Sequence, residues 1–353
     1  MSTAPRPGAE AGPGPVLVMG AGLIGCWLGG RLAASGVQVD FVGRPRVLEA
    51  LRHHGLTLSD RGGGYWSVRS EDLRLHASVP PDCAPSLVLL CVKSGATAEA
   101  SALLARGLPP GTPVLSMQNG VSNGQVAREA APGLHWLPGM VPYNVAELAP
   151  GRFHRGTAGR LAAQDDPVLR RWQPAFAAAG LPLQLHADLR PVQWGKLLLN
   201  LNNAVNALSG LPLREQLLDA ALRQCTAALI EEALGVLAAA GIAPARLSPV
   251  PPRWIPRVMR LPTPLFRWVA AGSLRIDARA RSSMADDLAL GRPTEVDMLQ
   301  GEVVRLARSL GRSAPLNERI AQRVAAQDAS TPPWRGDTLQ RALGVVDGPG
   351  PRR

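Results

Sequence analysis

Of the 38 cationic side chains in this 353-residue chain, only Lys93 and Lys196 are lysines; the other 36 are arginines. Chain-wide use of arginine reads as compositional drift. A position that keeps lysine then points to something arginine cannot supply: an ammonium releases and regains its proton, whereas a guanidinium effectively does not. Lys196 lies in Trp194-Gly195-Lys196-Leu197-Leu198-Leu199-Asn200 and is the only charged residue between Arg190 and Arg214. Desolvation in so apolar a helix lowers an ammonium's pKa toward the range useful for acid catalysis. Four of the chain's eight asparagines follow closely: Asn200, Asn202, Asn203 and Asn206. On a continuous helix Lys196, Asn200 and Asn203 share one broad face. Amides on an apolar helix cost stability unless paired, so they line a polar pocket facing a substrate or cap buried helix ends; the spacing leaves both open.

A second chemistry sits near the N-terminus. Gly20-Ala21-Gly22-Leu23-Ile24-Gly25 has GxGxxG spacing after a short apolar strand and before a helix, the context a dinucleotide site requires. Gly20 allows the tight turn, Gly22 lets the backbone approach a pyrophosphate, and Gly25 permits close helix–strand packing. The helix start at Leu23 and Ile24 turns free N–H groups toward the anion. The second strand ends Val42-Gly43-Arg44, and its acid, Asp40, falls two residues too early to hold a ribose 2′-hydroxyl. Arg44 is placed to meet a 2′-phosphate, so NADP is expected over NAD, with a solvated surface arginine as the plain alternative. Lys93 and Gln118-Asn119-Gly120 each directly follow an apolar strand. The carboxyl ends of such strands line the ligand crevice. A surface amine and a turn residue are the simpler accounts of Lys93 and Asn119. Farther on, Thr294 is expected to cap a helix with Asp297 as reciprocal acid and Glu295 in its first turn.

The elements that must carry these groups follow from pattern. Apolar runs at 16–19, 86–92 and 113–117 and a second strand at 37–42 alternate with helices such as 23–35, the signature of a doubly wound parallel sheet. From about residue 188 the strand pattern stops. Helices are expected at 189–208, 215–240, 283–290 and 294–310, the second ended by Gly241 and Pro244. The expected fold class is α/β: a parallel-sheet domain at 16–187 that binds NADP, then an all-helical domain at 188–330 for substrate and dimerisation. A disordered arm at 1–15 precedes them, and a loose, Pro/Gly-rich tail follows at 331–353.

Composition removes several classes. The apolar content of 46% excludes a collagenous or wholly disordered chain. The uncharged stretch at 11–30 is too rich in glycine and proline for a membrane span, and no signal peptide is recognisable. Cys26, Cys83, Cys91 and Cys225 lack metal or disulfide spacing, which argues against a metal site and fits a reducing, cytoplasmic setting. The charge of +11 comes from scattered arginines without basic runs, so neither a nucleic-acid nor a membrane partner is expected.

Taken together, GAGLIG at 20–25, GR at 43–44, CVKS at 91–94, QNG at 118–120, WGKLLLN at 194–200 and SSMADDLALGRPTEVD at 282–297 resemble the ketopantoate reductase (2-dehydropantoate 2-reductase) family over about residues 16–320. The resemblance implies a Rossmann-type N-terminal domain, a helical C-terminal domain and an active site in the cleft between them. It implies NADPH-dependent reduction of a 2-keto acid, 2-dehydropantoate to (R)-pantoate, for pantothenate and coenzyme A synthesis, with room for a homodimer. By position it makes Lys196 the general acid, in contact with the substrate, and Glu295 a second catalytic residue placed at both substrate and cofactor. Lys93 and Asn119 then lie by the nicotinamide and its ribose, while Asn119, Asn200 and Ser283 meet the substrate. Another branched 2-keto acid or an imine as substrate, or a non-catalytic NADP sensor, are the alternatives. Two features depart from the family. Ala204 stands where a second asparagine is usual, with Asn203 and Asn206 beside it; either could replace it, and Asn203 is counted among the substrate-binding candidates. The stretch 244–275 is also unusual; its anchors Trp254, Phe266 and Trp268 suit a lid, a dimer contact or core.

Overall fold

The computed structural model describes residues 14–272, 274, 280–328 and 330–345. The expected arm therefore lies almost wholly outside the described residues. The chain divides into two compact units between Leu189 and Arg190.

The first unit begins β1 (Val16–Met19), α1 (Leu23–Ala34), β2 (Val39–Val42), α2 (Pro45–His54). It continues through β3 (Leu56–Asp60), β4 (Tyr65–Val68), β5 (Arg74–His76), β6 (Leu87–Leu90), α3 (Thr97–Gly107), β7 (Pro113–Ser116) and α4 (Asn123–Ala130). It closes with β8 (His135–Met140), β9 (Val145–Ala149), β10 (Arg152–Arg155), β11 (Leu161–Gln164), α5 (Pro167–Ala178) and β12 (Leu183–His186). The eight-stranded sheet runs β12-β11-β8-β7-β6-β1-β2-β5. Its pairs are parallel from β5 through β8. β1, β2 and β6 are buried at every residue, as strands covered on both faces must be; β1 and β6 therefore read as unbroken apolar runs, while β2 carries the buried Asp40.

Two features depart from the sequence expectation. The sheet is mixed, because β11 pairs antiparallel with β8. A second sheet, β4-β3-β10-β9, lies against α1. Its hairpin is made by Asp60, whose Oδ1 accepts from the amides of Gly62 (2.9 Å) and Gly64 (3.0 Å). The Arg31 guanidinium lies 3.3 Å from the Trp66 ring centroid and ties α1 to this sheet.

The second unit is helical: α6 (Arg190–Asn200), α7 (Asn202–Ser209), α8 (Leu213–Leu218), α9 (Ala220–Ala239), α10 (Ile255–Met259), α11 (Thr263–Val269), α12 (Ser283–Ala289), α13 (Gln300–Ser309), α14 (Pro315–Ala326) and α15 (Gly336–Leu343). Two expected long helices are each broken. The helix expected at 189–208 is interrupted at Leu201, whose carbonyl accepts from Gln300 Nε2 (3.0 Å). The one expected at 215–240 is interrupted at Asp219, which N-caps α9 through Leu222 N (3.0 Å). Thr294 does not cap a helix. A 3-10 turn, Val296–Met298, opens there with Glu295 at its N-cap position and no side-chain cap, so the expected capping box is not formed. The tail is not loose from residue 331 either: α15 packs on α9 with Leu339 and Leu343 fully buried.

A buried arginine helps hold the unusual stretch at 244–275. Arg223 donates to the carbonyls of Leu217, Met259 and Leu261 at 2.9–3.0 Å and lies over the Phe266 ring. Phe266 is core, whereas Trp254 is 43% exposed and Trp268 79%. Residue 275 lies outside the described residues. Among the described residues no helix is long and apolar enough to cross a membrane.

Candidate active site

Four strand ends in the first unit are level. Met19 pairs with Val42 on one side and Leu90 on the other, and Leu90 pairs with Ser116. The next residues along these strands are the Gly20–Gly25 loop, Gly43-Arg44, Cys91-Val92-Lys93 and Met117-Gln118-Asn119. Strand order reverses between β2 and β6 on either side of β1, which makes the C-terminal edge there a switch-point crevice. The sheet thus brings the glycine loop, Arg44, Lys93 and Asn119 to one edge.

The loop itself fits a dinucleotide. Gly20 has φ +105°, and a Cβ there would lie 2.7 Å from Val92 N. A Cβ on Gly25 would lie 2.1 Å from Gly20 O, so any side chain would push the helix off the loop. A Cβ on Gly22 would meet nothing within 4 Å; it would project into the open space that a phosphate needs. No side chain caps α1 and no acid occupies its first turn, leaving the first-turn amides to an anion. Asp40 is buried and engaged by Arg74 Nε (2.9 Å) and His76 Nε2 (2.7 Å), so it is not offered to a ribose. Arg44 is exposed at the N-cap position of α2 and forms no ion pair among the described residues.

Lys93 is exposed, immediately before a 3-10 turn, and Asn119 is half-buried. Gln118 does not face outward with them. It is buried and joins a network invisible in the sequence. Ser116 Oγ donates to Gln118 Oε1 (2.8 Å), and Gln118 Nε2 donates to Val92 O (2.9 Å) and Thr97 Oγ1 (2.8 Å). Thr97 Oγ1 donates to Asn123 Oδ1 (2.9 Å), and Asn123 Nδ2 donates to Ser94 Oγ (3.3 Å) and to Asn119 O. The only sequence signal was position: Thr97 and Asn123 open the helices that follow β6 and β7.

In the second unit Lys196 sits in the second turn of α6, half-buried, and burial pushes its ammonium down to about 8. Gly195 explains the tight seat. A Cβ there would lie 2.4 Å from Ala245 O, and Ala245 N donates to Pro191 O at 2.7 Å. Asn200 ends α6, half-buried. The other asparagines separate cleanly. Asn202 exchanges two bonds of 3.1 Å with Gln216 and accepts from Thr226 Oγ1 (2.9 Å). Asn206 is fully buried, donating to Leu211 O (2.9 Å) and accepting from Ser282 N (2.9 Å). Both are structural, whereas Asn203 stays half-buried on the surface of α7. Ser282, not Ser283, caps α12, accepting from Ala285 N (3.2 Å), and Ser283 is exposed at the first position. Glu295 is half-buried before its 3-10 turn. Ser282 to Asn206 and Gln300 to Leu201 pin the segments bearing Ser283 and Glu295 to α7 and the α6–α7 junction.

A parallel sheet with a glycine loop at its switch point defines the class of dinucleotide-binding α/β proteins. Within that class, the family model "Ketopantoate reductase PanE/ApbA" matches residues 16–167, and its C-terminal counterpart matches 188–328. The chain belongs to the ketopantoate reductase family. It is 31% identical over 322 residues to a 2-dehydropantoate 2-reductase of Halobacterium salinarum, covering 89% of this chain and 99% of the relative. A solved PanE/ApbA family ketopantoate reductase from Ralstonia eutropha superposes with TM-score 0.75 at 28% identity, covering 88% and 97% of the two chains. D-mandelate dehydrogenase, solved with NADH and anilino(oxo)acetate, shares the fold at TM-score 0.74 and 17% identity, covering 92% and 99%.

Proposed function

We propose that this protein reduces 2-dehydropantoate to (R)-pantoate with NADPH, the step that serves pantothenate and coenzyme A synthesis. Family membership and the Halobacterium relative support the reaction. NADPH, when bound, supplies the hydride that reaches the C2 carbonyl carbon. The Gly20–Gly25 loop and the amides of Leu23 and Ile24 hold the pyrophosphate, and Arg44 meets the 2′-phosphate. Lys93 and Asn119 hold the nicotinamide end, at the strand ends away from Arg44.

The observation that carries the mechanism is the seat of Lys196. A buried ammonium at about 8 is still mostly protonated near neutrality, and gives up its proton far more readily than an exposed lysine. As negative charge grows on the C2 oxygen, the ammonium stabilises it and then transfers its proton there. Asn200, Asn203 and Ser283 orient the substrate by hydrogen bonding, and Glu295 accepts from donors on substrate and cofactor. Position 204 is a fully buried alanine, which leaves Asn203 as the amide available in place of the family's second asparagine.

The fold alone does not choose the 2-keto acid, since D-mandelate dehydrogenase shares it. The test is NADPH consumption by the purified protein with 2-dehydropantoate against a panel of straight, branched and aromatic 2-keto acids. The highest kcat/KM is expected with 2-dehydropantoate. A higher value with another 2-keto acid would reassign the substrate, and no turnover on any, with NADPH still bound, would make the protein a sensor.

A further inference from the structure

We propose that Thr97, Gln118 and Asn123 are positioning residues that latch together the two strand ends bearing Lys93 and Asn119, and that this latch sets the affinity for NADPH. The inference rests on the reading that Lys93 and Asn119 meet the nicotinamide end of the cofactor.

The hydrogen bonds have a direction. Both Gln118 amide hydrogens are used, on Val92 O and Thr97 Oγ1. The Thr97 hydroxyl passes its own hydrogen to Asn123 Oδ1. Both Asn123 amide hydrogens are used in turn, on Ser94 Oγ and Asn119 O. The chain therefore ends on two backbone carbonyls: that of the residue before Lys93 and that of Asn119 itself. β6 and β7 are neighbouring parallel strands whose paired register ends at Leu90–Ser116. Beyond it side-chain bonds extend the ladder, Ser94 Oγ to Asn119 O (3.4 Å) among them, beside the backbone link Met117 N to Leu90 O (2.9 Å). Thr97 is 1% exposed, Asn123 4% and Gln118 9%, so water does not compete for these groups and a broken link leaves buried polar atoms unpaired.

Thr97 is the link to cut, because valine keeps its shape while removing the hydroxyl. Thr97→Val leaves one Gln118 hydrogen and Asn123 Oδ1 without partners, whereas Thr97→Ser keeps the hydroxyl. NADPH affinity by fluorescence titration, both KM values and kcat are measured for Thr97→Val, Thr97→Ser and Asn119→Ala in the full-length protein. Thr97→Val is expected to raise the NADPH Kd about tenfold, with a smaller change in the KM for the 2-keto acid at saturating NADPH. Thr97→Ser is expected to stay within about twofold of wild type. An unchanged NADPH Kd in Thr97→Val, while Asn119→Ala impairs binding, overturns the latch alone. A parallel loss in both substrates with a collapsed melting temperature also overturns it, showing plain destabilisation. Wild-type binding and turnover in Asn119→Ala would overturn the site reading and the latch with it.

Discussion

Lys196 and Arg44 were the residues whose chemistry the sequence exposed most directly. The run of uncharged residues around Lys196 was enough to foresee desolvation, and burial does lower its pKa, to about 8. The asparagines were not separable in the same way. Asn202 and Asn206 look like Asn200 and Asn203 until their partners are known, and those partners, Gln216, Thr226 and Ser282, lie 14 to 76 residues away. In the proposed function Arg44 meets the 2′-phosphate. Its guanidinium is exposed and Asp40 is consumed by Arg74 and His76. Arg44→Ala is therefore expected to raise the NADPH Kd by about tenfold or more, the worth of a charge-assisted hydrogen bond, while NADH binding stays within about twofold. Equal weakening of both cofactors by titration would contradict a contact to the 2′-phosphate.

Elements were legible where burial is two-sided and not where a distant group decides a boundary. β1, β6 and β7 came through as apolar runs. Hydrogen bonds accompany both breaks, at Leu201 and Asp219: Gln300 takes the Leu201 carbonyl, and Asp219 caps α9. Asp219 is a common cap residue and was a readable signal; Gln300 was not, being 99 residues from its acceptor. α6 shows how an element positions chemistry. Gly195 lets the chain at Ala245 pass so close that any Cβ would sit 2.4 Å from a carbonyl oxygen. Gly195→Ala is expected to displace α6 at Lys196. It should lower kcat at least tenfold and the melting temperature by several degrees, as overpacking of about 1–3 kcal/mol implies. Wild-type kcat in that variant would show that the close approach does not matter to Lys196.

At the scale of the molecule, the α/β first unit and helical second unit followed from the change in periodicity near residue 188, and each has its own core. The four-stranded sheet beside α1 was missed because its strands are short and bury one face at most: β4 shows no fully buried residue. Its turn signal is Asp60 followed by Gly62, Gly63 and Gly64. The arginine-rich charge of +11 describes the surface of the whole chain more than its chemistry. In the proposed mechanism the proton comes from Lys196, one of the two lysines in the chain. The most direct test of that claim is the pH dependence of kcat/KM for 2-dehydropantoate, since this ratio reports groups in the free enzyme. With Lys196 as proton donor, the protonated form is active. The profile should be level on the acid side of about 8 and fall about tenfold per pH unit above it. A profile that stays level from pH 7 to about 10 would contradict Lys196 as the general acid.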